Sequence, residues 1–324
     1  MTTRWPRLGL GCAALGTPPP AMTDAEAIAT IEHALERGIR LFDVAPLYGG
    51  GLAELRLGRA LRGVPRGDYL LCTKTGVTRP FGQAATPPGS TTPRAADHWD
   101  YSRAATRASV LRSLDRLGVD RFDVVHLHDA EDHLDECLQA HAELATLRSE
   151  GRVDRIGIGS NLVAPIEALL ARAPFDAFLL AGAYTLLDQS GAALITRASK
   201  SGIAVIAAGI FNSGILASWP PSSASTYAYR PAPPVLVQRT AQIAEACLRH
   251  GVTLGCAALR FVLAQPAIAT VLVGARTPQE LGQNLDAATA EVPDALFDEL
   301  ETQGLVVHGL PRPTRANALR GVPA

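Results

Sequence analysis

Short apolar runs alternate with amphipathic stretches along the chain. The apolar runs occupy residues 8–12, 39–43, 69–74, 122–128, 154–159, 176–181, 203–208 and 268–273. Apolar residues at helical spacing occupy the stretches 24–37, 52–61, 103–117, 132–149, 163–172, 188–200, 235–249 and 277–289. This pattern predicts eight strand–helix units in series. Two more helical stretches, 253–264 and 294–303, lie outside that series.

An unbroken series of eight strand–helix units favours a closed (β/α)8 barrel, the TIM barrel, over other α/β folds. The alternative is a doubly wound open sheet, which normally carries a glycine-rich fingerprint after an early strand. Residues 8–16 read LGLGCAALG and lack the spacing GxGxxG. No low-complexity segment or linker divides the chain. We therefore expect one barrel domain over residues 1–324, with extra C-terminal helices.

Two long loops follow the third and seventh predicted strands, at 77–101 and 210–234. Both leave the carboxyl end of a strand, so on a barrel both rise from the C-terminal face, where active sites are built. Loops of this length are more often functional or disordered than neutral. Their aromatic residues are Phe81, Trp99, Tyr101, Phe211, Trp219, Tyr227 and Tyr229. We expect lids over a pocket, and the alternative is a pair of merely tolerated insertions.

The composition excludes several classes of protein. The 324 residues are 47% hydrophobic and carry a net charge of −1. So small a net charge gives no sign of the basic surface that binds nucleic acid or an anionic membrane. The five cysteines lack metal-ligand spacing, which favours reduced thiols in a reducing compartment. Residues 1–11 lack the apolar stretch that a secretory signal would show, and the longest apolar run, 202–211, is too short to span a bilayer. We expect a soluble, cytoplasmic protein without nucleic-acid or membrane partners.

Four polar residues stand at or just past the ends of predicted strands. Asp43 and Tyr48 follow the second strand, Lys74 ends the third, and His128 ends the fourth. A phenol can give a proton to a carbonyl oxygen, and a nearby ammonium lowers the phenol's pKa from about 10, while a carboxylate holds the ammonium in place. The chain has only two lysines, Lys74 and Lys200, so a lysine at a buried strand end indicates chemistry. The combination suits carbonyl or alcohol redox reactions.

The chain resembles the aldo-keto reductase family in five motifs that occur in order. The first runs from Gly38 to Gly58 and reads G-x-x-x-F-D-x-A-x-x-Y-G-x-G-x-x-E-x-x-L-G. The others are TK at 73–74, DVVHLH at 123–128, GIGSN at 157–161 and VGART at 273–277. The resemblance covers nearly the whole chain. Within the family, the segments 100–129, 183–189 and 211–217 are most similar to the sugar and pyridoxal dehydrogenases.

The resemblance implies a catalytic role for each of the four polar residues. Tyr48 would be the proton donor or acceptor, and Lys74 would lower its pKa. Asp43 would pair with Lys74, and His128 would orient the carbonyl oxygen. Taken singly, each residue also has a purely structural interpretation. It would be a buried ion pair for Asp43 and Lys74, a packed loop tyrosine for Tyr48, and a core histidine for His128. Their joint occurrence at the family's positions favours catalysis.

The resemblance also implies a nicotinamide dinucleotide, NAD or NADP, held without a Rossmann fingerprint. Ser160 and Asn161 would hydrogen-bond the nicotinamide carboxamide at the end of the fifth strand. Asn212, Ser213 and Gly214 would offer backbone and hydroxyl donors to the pyrophosphate.

A helix start near the C-terminus would bind the adenosine end of the cofactor. Arg276 and Thr277 would meet the adenosine ribose or its 2′-phosphate, and Glu280 and Asn284 on the same helical face would reach ribose or adenine. An ordinary capped surface helix is the alternative for this segment. We lean towards NAD, because the most similar group includes NAD-dependent dehydrogenases.

Two positions depart from the family's pattern. Many relatives carry Gln where this chain has Ala181, and an aromatic residue that stacks on nicotinamide where it has Ala208. Other groups, Phe211 or Tyr184, would then hold the nicotinamide ring.

Strand parity adds a prediction that the motifs do not contain. If His128 points into the barrel, His126 points inward one step deeper, and Cys72 lies beneath Lys74 by the same rule. A histidine inside the barrel needs a hydrogen-bond partner. We expect His126 to be structural and neutral; the alternative is a group that sets the tautomer or charge of the site.

The sequence therefore predicts an NAD(P)-dependent oxidoreductase acting on a small hydroxylated carbonyl or hemiacetal, such as an aldose or pyridoxal. One alternative is a general NADPH-dependent aldehyde or ketone reductase. Another is a regulatory redox sensor that binds the cofactor without turnover. No metal site is expected, because the acidic and histidine residues lack ligand spacing.

Overall fold

Eight parallel strands form a closed barrel in a computed structural model of the chain, which describes residues 5–17, 21–82, 97–217, 220, 225–228 and 230–313. The strands, β1 to β8 in chain order, are Leu8–Gly11, Leu41–Asp43, Leu70–Thr75, Phe122–His128, Val153–Ser160, Ala177–Ala181, Ala204–Ala208 and Thr270–Gly274. Each strand pairs with the next in the chain, and β8 closes on β1. The predicted (β/α)8 barrel is confirmed, and the doubly wound sheet is excluded.

Helices surround the barrel. In chain order α1 to α10 are Asp24–Glu36, Leu52–Ala60, Arg103–Leu117, Leu134–Ser149, Val163–Leu170, Ala192–Lys200, Pro234–Arg249, Leu254–Ala264, Pro278–Thr289 and Asp294–Thr302. Local chemistry fixes several of their ends. Thr23 and Glu26 form a reciprocal capping box at the start of α1, and Gly118 ends α3 in the left-handed conformation. The two helices expected outside the series are α8 and α10.

The lower part of the barrel interior is apolar. Its inward-facing residues form one cluster, made by Leu41, Leu70, Cys72, Val124, Ala177, Leu179, Ile206 and Leu272. Gly9 leaves room for this packing, because a Cβ there would lie 2.6 Å from a Leu41 methyl and 2.9 Å from a Leu272 methyl. Trp5 lies against the same cluster, with the Arg155 guanidinium 5.5 Å from its ring centre. The polar inward residues stand above this layer, towards the C-terminal face.

Both long loops contain a short antiparallel pair that the sequence pattern did not predict. Val77–Thr78 pairs with His98–Trp99, and Thr226–Tyr227 pairs with Arg230–Pro231. An ion pair between Arg79 and Asp97 also joins the two ends of the first loop, with Nε and Oδ1 2.6 Å apart.

All five cysteines are buried free thiols, which agrees with the expectation of reduced cysteines. Among the described residues, no single helix is long and apolar enough to cross a membrane. Only α7 and α8 together reach that length and composition, as a pair bent by 94°.

Candidate active site

The four residues singled out from the sequence meet at the C-terminal end of the barrel. Asp43 ends β2, Lys74 lies in β3 and His128 ends β4, and at most 7% of each residue is exposed. Tyr48 lies on the turn that follows β2. Three strand ends and one loop therefore bring together an acid, an ammonium, an imidazole and a phenol.

Lys74 is the centre of the group. Its Nζ donates hydrogen bonds to Asp43 Oδ1 and, at 3.1 Å, to the carbonyl oxygen of Val44. Nζ also lies 4.7 Å from the centre of the Tyr48 ring. The ammonium is thus held between a carboxylate below it and the phenol above it.

Burial and charge act in opposite directions on this pair. Burial lowers the pKa of Lys74, but attraction and hydrogen bonding to Asp43 and Tyr48 outweigh it, and the net shift is upward. At Asp43, burial raises the pKa against the pull of Lys74. Because the Lys74 nitrogen has several acceptors around it, we assign the pair as an ammonium and a carboxylate.

The turn that carries Tyr48 depends on three glycines. Gly49, Gly50 and Gly51 all have positive φ, at 62°, 62° and 100°, a conformation in which a Cβ would be strained. Gly16 approaches the same turn so closely that a Cβ on it would lie 2.6 Å from the Tyr48 carbonyl carbon. The glycines in the first family motif therefore place the phenol over Lys74.

His128 completes the site from the next strand. Its ring lies edge-on to Tyr48, with the ring centres 6.0 Å apart and an interplanar angle of 89°. Asp129, whose φ of 50° is unusual for a residue with a side chain, brings its Oδ1 to 3.8 Å from His128 Nε2. The two rings and this carboxylate therefore lie close together at the end of β4.

Tyr101 holds this strand end in place, a role that the sequence did not reveal. Its hydroxyl donates to the carbonyl oxygens of both His128 and, at 3.0 Å, Asp129. Only 2% of Tyr101 is exposed, so it belongs to the core and the expected lid role is wrong for this residue. A Cβ on Gly76 would overlap the Tyr101 ring. This contact depends on the fold, and no motif contains it.

His126 points into the barrel one step below His128, as strand parity predicts, and Lys74 is its partner in register on β3. Burial, with Lys74 and His128 nearby, lowers the pKa of His126 to about 3, so its ring is neutral at ordinary pH. Potential metal donors of Asp43, Cys72 and His126 lie within 4.8 Å of one another. The Lys74 ammonium already bonds this carboxylate and would repel a second cation, which disfavours a metal here.

A cavity of about 520 Å³ opens at Asp129, the residue that follows His128 in the chain. Its walls come from both long loops and from the ends of β4 and β5, and its lining residues are Trp99, Asp129, Glu131, Asp132, His133, Asn161, Leu162 and Arg230. The two loops thus meet at the cavity, as expected of loops that border a pocket mouth. Of their other aromatic residues, Phe81 is 63% exposed, and Trp219 and Tyr229 lie outside the described residues.

The two residues expected at the nicotinamide carboxamide stand at the end of β5. The Ser160 hydroxyl donates to Glu131 Oε1 at 2.6 Å and accepts from the Leu162 amide at 3.0 Å. Asn161 is exposed at the cavity wall. Ser160 is therefore already ordered by its neighbours, and its contact with a carboxamide stays a prediction.

The segment expected at the pyrophosphate has an unusual backbone. Asn212, Ser213 and Gly214 have consecutive positive φ values of 44°, 60° and 101°. Asn212 Nδ2 donates to the Gly182 carbonyl oxygen at 3.0 Å, and Thr226 Oγ1 donates to the Ser213 carbonyl oxygen at 2.8 Å. Residues other than glycine in this conformation typically cost about 1–3 kcal/mol each and cluster at ligand sites.

The residues expected at the adenosine end cap α9. Thr277 accepts from the Glu280 amide at 3.1 Å, and Glu280 accepts from the Arg276 amide at 2.8 Å. Asn284 Nδ2 donates to the Gly274 carbonyl oxygen at 3.1 Å. Glu280 and Asn284 thus have local structural partners, while the exposed Arg276 guanidinium has no ion pair within the described part of the chain. Their contacts with a cofactor remain predictions.

The space expected for the nicotinamide ring is bordered by small residues. Ala181 and Ala208 are partners in register on β6 and β7 and face the barrel interior. Tyr184 cannot take the place of the missing aromatic, because it is buried against Phe261 with ring centres 5.2 Å apart and accepts from Gln265. Phe211, partly buried at the start of the positive-φ segment, is the remaining candidate.

Comparisons with known proteins agree with this geometry. The model of the aldo/keto reductase family matches residues 7–303. D-threo-aldose 1-dehydrogenase of a Pseudomonas species is 38% identical over 93% of this chain and 94% of its own length. Pyridoxal 4-dehydrogenase of Microbacterium luteolum is 33% identical over 92% and 94%. The holo structure of an aldo-keto reductase from Bacillus halodurans is 26% identical, covers 95% of both chains and has a TM-score of 0.72.

Proposed function

The chain belongs to the aldo/keto reductase family and is an NAD(P)-dependent oxidoreductase, and we propose that it acts on a small hydroxylated carbonyl or its cyclic hemiacetal. The observation that carries this proposal is the arrangement of Tyr48 over the Lys74 ammonium, with Asp43 below and His128 beside it. Such a chain of groups moves one proton at a phenol oxygen.

Tyr48 is the general acid in reduction and the general base in oxidation. Its hydroxyl gives a proton to the carbonyl oxygen, or as phenolate takes one from the alcohol. The positive charge of Lys74 favours the phenolate. Asp43 keeps that charge in place, and His128 orients the reacting oxygen from the other side. The nicotinamide supplies or accepts the hydride when it is bound.

Features of the described residues fit a dinucleotide. The positive-φ backbone of Asn212, Ser213 and Gly214 turns consecutive amides towards one side, which suits a pyrophosphate. Asn212 Oδ1 is buried without a hydrogen-bond partner among the described residues. The exposed guanidinium of Arg276, at the start of α9, suits the adenosine ribose or a 2′-phosphate. We propose NAD as the preferred cofactor.

The proposed substrate class rests on the cavity and on two relatives. The cavity has acidic side chains from Asp129, Glu131 and Asp132 beside Trp99, and carboxylates accept hydrogen bonds from hydroxyl groups. The relatives named above are dehydrogenases of an aldose and of pyridoxal. We therefore propose an aldose-like or pyridoxal-like substrate.

A substrate panel tests the proposal. Aldoses, pyridoxal and simple aliphatic aldehydes would be assayed with NAD(H) and NADP(H) in both directions. We expect the highest kcat/KM with a hydroxylated substrate and NAD. A preference for simple aldehydes with NADPH would indicate a general reductase instead. Cofactor binding without turnover on any substrate would indicate a redox sensor.

A further inference from the structure

Next to Lys74, three polar side chains face one another inside the barrel. They are Asp43 on β2, Cys72 on β3 and His126 on β4, and none is more than 3% exposed. A carboxylate oxygen, the thiol and a ring nitrogen all lie within 4.8 Å of one another. The mechanism above uses only one carboxylate oxygen, Asp43 Oδ1, which accepts from Lys74.

The polar atoms on the inner side of this group are not hydrogen-bonded to each other. Asp43 Oδ2 and both ring nitrogens of His126 are buried and lack a partner among the described residues. The Ile158 backbone has the smallest effect on the pKa of His126, and this effect is upward. Neither ring nitrogen of His126 forms a hydrogen bond of normal geometry with it. A buried polar group without a partner costs free energy, so three such atoms in one place need an explanation.

The spacing suits one bridging molecule of water. Polar atoms that lie near one another without bonding directly are commonly joined by an ordered water, which needs two to four polar partners. Carboxylate, imidazole and thiol supply them here. Gly157 on β5 makes room for the imidazole, because a Cβ there would overlap Nδ1 and lie 2.7 Å from Cε1 of His126.

We propose that His126 is a positioning residue, whose neutral ring donates a hydrogen bond through one internal water to Asp43 Oδ2. This inference rests on the proposed function. Bonded on both oxygens, the Asp43 carboxylate stays charged and fixed, and it fixes the Lys74 ammonium under Tyr48. His126 itself touches neither substrate nor cofactor.

The surrounding charges are compatible with this role. Lys74 and His128 face His126 and both oppose a charge on its ring, and Asp43 and Cys72 face it from β2 and β3. Burial raises the pKa of the Cys72 thiol, so Cys72 is a neutral partner. His126 therefore remains a donor across the pH range in which the enzyme would work.

The first test measures the pH profile of kcat/KM for oxidation in three variants. His126→Leu removes the donor, and we expect the acidic limb to move up by about 0.5–1 pH unit, because Asp43 then holds Lys74 less firmly. His126→Gln offers an amide donor and should restore most of the wild-type profile. Val124→Ala, one step deeper on the same strand, removes buried carbon without a polar group and should leave the profile unmoved. An unmoved profile in His126→Leu, or an equal movement in Val124→Ala, overturns the proposal.

The second test needs neither substrate nor turnover. A high-resolution crystal structure of the wild-type protein should show one water within hydrogen-bond distance of Asp43 Oδ2 and a His126 ring nitrogen. Absence of density there, or an anomalous signal from a metal ion, overturns the proposal. If the wild type turns over none of the panel, the proposed function fails, and the crystal structure still tests the His126 contact separately.

Discussion

At the scale of single residues, the sequence reveals which side chains meet at the candidate site more readily than it reveals how they are held. Asp43, Tyr48, Lys74 and His128 could be found because they stand at strand ends that meet on one face. His126 could be placed because strand parity has a period of two. The bonds of Tyr101 to the end of β4 could not be found, because they depend on how a loop crosses Gly76 in three dimensions.

The buried His126 makes a prediction about acid stability. Its pKa is lowered from 6.5 to about 3 in the folded chain, so the unfolded chain binds a proton at higher pH than the folded one. The stability is therefore complete above pH 6.5 and falls as the pH drops from 6.5 towards 3. Lowering the pH from 7.5 to 5 should reduce the free energy of unfolding by roughly 2 kcal/mol through this residue.

Urea unfolding of the wild type and of His126→Gln at pH 7.5 and pH 5 measures that loss. The variant should lose less stability than the wild type over this interval. His98→Gln, at an exposed position, serves as the control and should behave as the wild type does. Equal losses in the wild type and His126→Gln would show that the ring takes up its proton at the same pH in the folded and unfolded chains, so that burial does not lower its pKa.

At the scale of elements, strands buried on both faces are predicted well because they give continuous apolar runs. The observed helix boundaries differ from the predicted ones where a local turn precedes the helix. The predicted helix at 188–200 begins only at Ala192, because Asp188 accepts from the Ser190 amide and forms a turn first. The two-residue strands at Val77–Thr78 and Thr226–Tyr227 are too short to leave a periodic signal.

The end of β4 makes the first prediction at this scale. Tyr101→Phe removes the hydroxyl that bonds the carbonyl oxygens of His128 and Asp129. We expect kcat/KM to fall about 3- to 10-fold and stability to fall about 0.5–1.5 kcal/mol, as for one lost hydrogen bond. Tyr69→Phe, just before β3, is the matched control for losing a tyrosine hydroxyl. A similar loss of activity in both variants would remove the special role of Tyr101.

The start of α9 makes the second prediction at this scale. Under the NAD proposal, Arg276→Ala should weaken NAD and NADP binding modestly and to a similar degree, since the guanidinium would pack on adenine rather than clamp a phosphate. Fluorescence titration with both cofactors measures this, and Arg112→Ala on the exposed face of α3 is the control. A selective collapse of NADP binding in a protein that prefers NADP would reverse the cofactor assignment.

At the scale of the whole molecule, the barrel carries the four residues of the candidate site, and we propose that the two loops supply selectivity. The hairpin of Val77–Thr78 with His98–Trp99 and the Arg79–Asp97 ion pair close the first loop at its base. Residues 83–96 lie beyond this closure and outside the described residues. We therefore expect different parts of the chain to carry the chemistry and the specificity.

Replacing residues 83–96 with a short glycine–serine linker tests this division. We expect the thermal unfolding midpoint to change little, because all eight barrel strands and the ten helices named above lie outside residues 83–96 in the sequence. KM for hydroxylated substrates should rise, or the preference over aliphatic aldehydes should disappear. A folded variant that treats the whole substrate panel as the wild type does would show that this loop carries no selectivity.

Proton transfer by Tyr48 is tested most directly by steady-state turnover of Tyr48→Phe, measured beside its affinity for the cofactor. Removing one hydroxyl should lower kcat by roughly 10²-fold or more, since a positioned proton-transfer group contributes about 10²–10⁴-fold. Cofactor affinity should stay nearly unchanged, and Lys74→Met should lose turnover in the same way. Wild-type kcat in Tyr48→Phe, with the chemical step shown to be rate-limiting, would contradict the assignment of Tyr48 as the acid and base.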